Sequence, residues 1–101
     1  MTSRKSLLPA GAVVAFLFNT TPIHADRGIP DKVAFCTSCH GAIGISNYDL
    51  WPNIAGQKRG YLARQLQAFR DGSRHDPWMT PMAVPLSDAE IEELAEFYSK
   101  L

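Results

Sequence analysis

From Leu7 to Phe18 the chain is apolar, interrupted only by Pro9 and Gly11, with Arg4 and Lys5 ahead of the run. Asn19, Thr20, Thr21 and Pro22 end it, and Ile23-His24-Ala25 follows. A bilayer crossing takes about 20 consecutive apolar residues, more than this run supplies. A basic start, a short apolar run and a small residue at the break predict instead a secretory signal peptide over residues 1–25, cut after Ala25. The Asn19-Thr20-Thr21 sequon falls inside the segment removed and carries no weight. Downstream, Asp26 to Pro30 reads as a lead-in, and a short helix starts over residues 31–35, with Pro30 tolerated and Asp31 favourable at its first turn. Gly41 and Gly44 stop regular structure. Residues 41–57 read as a loop whose Ile43, Ile45, Leu50, Trp51 and Ile54 cover something apolar. Leu62, Leu66 and Phe69 recur at helical spacing within a helix from Lys58 to Asp71, with Gly72 as its stop. Pro77, Pro81 and Pro85 make residues 73–86 an irregular stretch. Ser87-Asp88-Ala89-Glu90 is a capping box opening a last helix, with Ile91, Leu94, Ala95 and Tyr98 on its apolar face and Glu92, Glu93 and Glu96 toward water. No segment alternates with period two. The prediction is an all-α domain of three to four helices joined by long, apolar loops.

Composition sharpens this. Without residues 1–25 the chain is one domain, residues 26–101, carrying eight basic against ten acidic side chains, a net charge of −2 with histidines neutral. A nucleic-acid partner would want a basic face, so that class is set aside. Docking on a protein with a modest positive patch is compatible with this balance. A domain this small needs a staple to be stable. A Cys36–Cys39 disulfide would close a loop too short to constrain the unfolded chain much. Long loops in a compact domain wrap something, and that something is a cofactor.

The chemistry is in Cys36-Thr37-Ser38-Cys39-His40. On a short helix the two thiols stand about one turn apart on one side, placed to add across the two vinyl groups of one haem, and His40 is next in line to reach its iron. A thioredoxin-like pair would want a βαβ surround. A zinc finger would want a fourth ligand at finger spacing, but His24 leaves with the signal peptide and His75 stands alone. A structural disulfide suits export yet explains neither His40 nor the loops. Covalent haem attachment accounts for all of them. The iron's other axial position points to a methionine, whose sulfur opposite histidine favours the ferrous state and raises the reduction potential. Met79 and Met82 lie in the same proline-rich stretch, and spacing alone does not choose between them.

The stretch from Cys36 to Leu101 resembles class I c-type cytochromes of the cytochrome c4 and c553 kind, found in bacterial periplasms. The segments that carry the likeness are CTSCHG, WPNIAGQ, YLARQLQAFRDGSR and MTPMAVPLSDAEIEELAEFYS, in the family's order and over nearly all of residues 26–101. The resemblance implies a small class I cytochrome c fold wrapped around one haem c, bound through Cys36 and Cys39, with His40 and Met79 as axial iron ligands and Met82 as packing. It also implies that the Pro52 carbonyl accepts the Nδ1–H of His40, fixing its tautomer and orientation. Cytochrome c4 carries two such domains in tandem. This chain has one, which removes electron passage between haems within it and leaves pairing of two copies as a homodimer open.

The remaining residues have plainer readings. Tyr61, Leu62, Leu66 and Phe69 are core residues, some against the porphyrin. Trp51 is a haem wall or ordinary core. Arg74 is a candidate propionate contact, with a solvated surface role as the alternative and as the reading for Arg59. His75 is an exposed loop histidine, a rival axial ligand that would leave the methionine stretch without a role. The expected function is one-electron transfer in the periplasm between a redox donor and a redox acceptor, through a partly exposed haem edge, with membranes met only through partner complexes. The expectation is a carrier and not an enzyme, because two protein ligands leave the iron no open position. The alternative is the haem-bearing subunit of an enzyme complex, such as a flavoprotein dehydrogenase oxidising a sulfur compound.

Overall fold

The computed structural model describes residues 1–3, 5, 6, 8–18 and 29–101. The expected cleavage point at Ala25 lies outside the described residues. Among the described residues no helix is long and apolar enough to cross a membrane.

Among the described residues there are four helices: α1 (Val33–His40), α2 (Arg59–Asp71), α3 (Met79–Ala83) and α4 (Asp88–Ser99). Helix α1 begins two residues after Asp31, where the Val33 N–H donates to the Pro30 carbonyl at 2.9 Å. It carries Cys36, Cys39 and His40 before ending at Gly41, whose φ of 85° belongs to glycine. A Cβ there would collide with the Ile45 carbonyl, so the loop after α1 turns back directly over the helix end. Helix α2 stops as its sequence indicates, at Gly72 in the left-handed conformation. Its Leu62, Ala63 and Phe69 are buried, and Leu66 packs partly buried against the core.

One expectation is corrected. Residues 73–86 are not wholly irregular: they contain α3, and Met79 is its first residue rather than part of a loop. Pro81 is the third residue of that helix. The first N–H groups of a helix have no intrahelical carbonyl to reach, so the missing proline N–H costs nothing there.

Helix α4 opens on the capping box that the sequence announces. Glu90 N–H donates to Ser87 Oγ at 3.1 Å, and Ser87 N–H donates to Glu90 Oε1 at 3.1 Å. Ile91, Leu94, Ala95 and Tyr98 form the buried face, with Ile91 fully enclosed. Helix α2 packs against both α4 and α3, and Val33 of α1 joins the same core. Arg70 pins the entry to α4, donating to the Leu86 carbonyl at 3.2 Å and pairing with Asp88 at 2.7 Å. Arg59 pairs with Glu92 at 2.7 Å and Glu96 at 3.7 Å across the exposed α2–α4 seam, where screening by water leaves such pairs worth little. Replacing Ser87 with Ala should lower the unfolding free energy of the mature protein by about 1 kcal/mol, since the Glu90 N–H loses its acceptor. The shift in the urea midpoint at unchanged slope measures it.

Candidate functional site

The three motif side chains are brought together by α1 itself. Cys36 and Cys39 are half-buried free thiols, not a disulfide. Burial, and then the neighbouring Cys39, push the Cys36 thiol pKa up, only partly opposed by the nearby Tyr98 hydroxyl. A thiol held protonated is the opposite of the activated thiolate that disulfide-exchange chemistry needs. The Tyr98 hydroxyl, although beside Cys36, is buried without a geometrically acceptable hydrogen bond. The Cys36 thiol is itself in range of the Lys32 carbonyl, at 3.5 Å.

His40 is the one buried polar or charged residue among those described, only 6 % exposed. Its Nδ1 lies 2.8 Å from the Pro52 carbonyl oxygen. A carbonyl only accepts, so Nδ1 carries a proton, and the lone pair of the neutral ring is the one on Nε2, the nitrogen not engaged by Pro52.

The loop that supplies this carbonyl is knitted tightly. The Gly44 carbonyl accepts from Ile54 N–H at 2.9 Å and Ala55 N–H at 3.0 Å, closing the loop on itself. Asn53 Oδ1 accepts from Ser46 N–H at 2.7 Å, and Gln57 donates to the Asn53 carbonyl at 2.7 Å, which anchors the residue that follows Pro52. Gly56 N–H donates to the Tyr98 carbonyl at 2.9 Å, tying the loop to α4. Gly44, at φ 75°, has Ala55 at 3.0 Å and a Tyr98 ring carbon at 3.1 Å from where a Cβ would stand, closer than ordinary van der Waals contact. Trp51 is half-buried and meets the Tyr48 ring edge-on at a centroid distance of 5.1 Å.

Met79 is half-buried at the start of α3, while Met82 lies one turn on and is exposed. Asp76 Oδ1 accepts from both Trp78 N–H and Met79 N–H, each at 2.8 Å. Those two bonds, Met79 first, hold the Asp76 carboxyl below the usual carboxylate range. Asp76 N–H in turn donates to Thr80 Oγ1 at 2.9 Å. Sequence reasoning missed Asp76 and Thr80. The signal was present, because an aspartate followed by proline just before a short apolar turn marks a helix start. Arg74 lies with its guanidinium donating through one of its five N–H donors to Gln65 Oε1 at 2.6 Å, and 4.5 Å from the Phe69 ring centroid. His75 is exposed.

The residues present fit a haem. Two unpaired thiols one turn apart adjoin an imidazole whose Nε2 is left free. The protein's own core is thin: ten hydrophobic residues are buried among those described, three of them alanines. Meanwhile Ile43, Leu50, Tyr61 and Trp78 remain exposed, Leu50 by 91 % and Trp78 by 68 %. A domain this size with so much apolar surface left over is completed by a large apolar group.

Comparison with known proteins agrees. The cytochrome c family profile matches residues 32–101. The thiosulfate dehydrogenase electron acceptor of Thiomonas intermedia is 47 % identical over 73 residues, covering 71 % of this chain and 34 % of that protein. Cytochrome c-554(548) of Halomonas halodenitrificans is 42 % identical over 72 residues, covering 68 % of this chain and 87 % of that one. The crystal structure of reduced recombinant cytochrome c4 from Pseudomonas stutzeri superimposes with a TM-score of 0.61 at 38 % identity, over 65 % of this chain and 37 % of that one. The chain thus spans about a third of the Thiomonas relative and most of the Halomonas one. Fold, motif and matched segment agree: this chain belongs to the cytochrome c family, electron-transfer proteins that bind haem c covalently.

Proposed function

We propose that this protein is a periplasmic one-electron carrier holding a single haem c, with thioether links at Cys36 and Cys39 and with His40 and Met79 as the axial ligands. The observation that carries the reading is the 2.8 Å contact between His40 Nδ1 and the Pro52 carbonyl. That bond sets the tautomer, aims Nε2 away from the loop and raises the basicity of the imidazole as a ligand. One-electron exchange between ferrous and ferric iron is the chemistry the haem supplies when bound. The chain's part is to hold both axial donors in place through either oxidation state, so that little rearrangement accompanies transfer. Met79 contributes a soft sulfur, and the apolar side chains of residues 43–54 and α2 keep water away, both of which favour the ferrous state. Arg74 remains the arginine we assign to a propionate, by exchange of its Gln65 bond for a charged one.

A second reading has one observation behind it: the Thiomonas relative is named as an electron acceptor of thiosulfate dehydrogenase. In that reading the same domain is a stably bound redox partner of a dehydrogenase. One measurement separates these readings, and a second tests the axial ligands in either. A free carrier elutes alone on a sizing column, whereas a subunit brings its dehydrogenase. Carbon monoxide added to the reduced carrier leaves the spectrum unchanged; rapid, tight binding would mean an open axial position and would rule out the His40/Met79 carrier.

A further inference from the structure

We propose that Asp76, with Thr80, is the positioning pair that sets how firmly Met79 is held at the iron. The inference deepens the carrier reading and rests on Met79 being the axial ligand. Helix α3 has five residues and cannot hold itself, because so short a helix has more orphan N–H groups than internal bonds. Its residue Met79 therefore needs an external anchor. Asp76 provides one at the ligand's own backbone: a single carboxylate oxygen accepts from Met79 N–H and Trp78 N–H, both at 2.8 Å. The anchor is reciprocal, since Asp76 N–H donates to Thr80 Oγ1 at 2.9 Å and Thr80 N–H to the Asp76 carbonyl at 3.0 Å. Four hydrogen bonds thus close a ring of five residues with Met79 inside it. Thr80 also accepts from Val84 N–H at 3.1 Å through its carbonyl, carrying the constraint to the far end of α3. The packing of α3 on α2 then fixes the ring relative to the core. Methionine itself is flexible about three side-chain bonds. Rigidity at the sulfur has to come from the backbone, and Asp76 is where the backbone is clamped.

What the clamp needs from residue 76 is an acceptor at that point, not its charge. Asparagine keeps the acceptor and alanine does not. The test uses the mature haem protein and follows the far-red sulfur-to-iron absorption band of the ferric form while imidazole is added as a competing ligand. For Asp76→Ala the imidazole concentration that removes half the band should fall roughly five- to tenfold, the effect expected of losing one helix cap. Asp76→Asn should stay within about twofold of the parent, as the same cap positions are served by either side chain. Thr80→Val should move the midpoint in the same direction as Asp76→Ala. Ser87→Ala, which weakens the fold at α4 and leaves the ring intact, should not move it. An Asp76→Ala midpoint matching the parent overturns the proposal, as does an Asp76→Asn midpoint as low as that of Asp76→Ala, or a Ser87→Ala shift of equal size. Should Asp76→Ala fail to mature, an unmoved Thr80→Val midpoint overturns it alone. A parent protein without the band, or Met79→Ala retaining it, defeats the ligand assignment and the clamp with it. An insensitive Asp76 beside a band that needs Met79 defeats the clamp only.

Discussion

Cys36→Ser or Cys39→Ser, made in a host that matures exported c-type cytochromes, should accumulate as little or no red protein. Whatever survives should hold its haem by one thioether at most, and only the double Cys36→Ser/Cys39→Ser protein should give all of it up to acidified organic solvent. Serine is close in size to cysteine, so packing alone predicts a small effect. The large effect comes from the cofactor's share of the interior. The chain encloses few large side chains of its own, Ile91 being the one fully buried among those described, and leaves Ile43, Leu50, Tyr61 and Trp78 exposed. Removing a group that covers such surface takes away more hydrophobic free energy than the net stability of a small domain, which is about 5–15 kcal/mol. Intact mass reads the outcome directly. A Cys36→Ser protein that is well ordered by circular dichroism, with the mass of the bare chain, would show that these helices fold without haem.

Met79→Ala should abolish the far-red band of the ferric protein and lower the reduction potential, while Met82→Ala should spare both. The sulfur favours ferrous iron, and its loss leaves the ferric state relatively better off. The two methionines lie on one short helix but differ in setting. Met79 is half-buried with its N–H tied to Asp76, whereas Met82 is 41 % exposed. A Met82→Ala protein that alone loses the band would reverse the assignment. Carbon monoxide should bind reduced Met79→Ala rapidly and leave the parent unchanged, giving an independent reading of the same vacancy.

Much of the site was legible because its chemistry is local. Cys36, Cys39 and His40 are placed by a single helix, and helical spacing alone puts them on one side. The capping box at Ser87 and the stop at Gly72 were legible for the same reason, since each involves hydrogen bonds spanning a few residues. The misjudged element was α3. Counting prolines across residues 73–86 argued against a helix, but a proline is excluded from a helix interior and not from its first turn. Pro81 stands in that first turn, and Asp76, two residues ahead of the N-cap Trp78, accepts from the N–H groups of Trp78 and Met79.

By itself the sequence determined α1, α2 and α4, their order, the attachment motif and the need for a large apolar partner, because periodicity, caps and residue chemistry act within one element. The tertiary structure alone decided two further things, that Asp76 grips Met79 in a ring closed by Thr80 and that Arg74 lies between Gln65 and the Phe69 ring, and it supplied the Pro52–His40 contact that only the family resemblance had implied. Each depends on how a loop closes or how one element lies on another. Loop closure is governed by the summed packing and hydrogen bonding of the folded chain, which no local pattern of residues specifies.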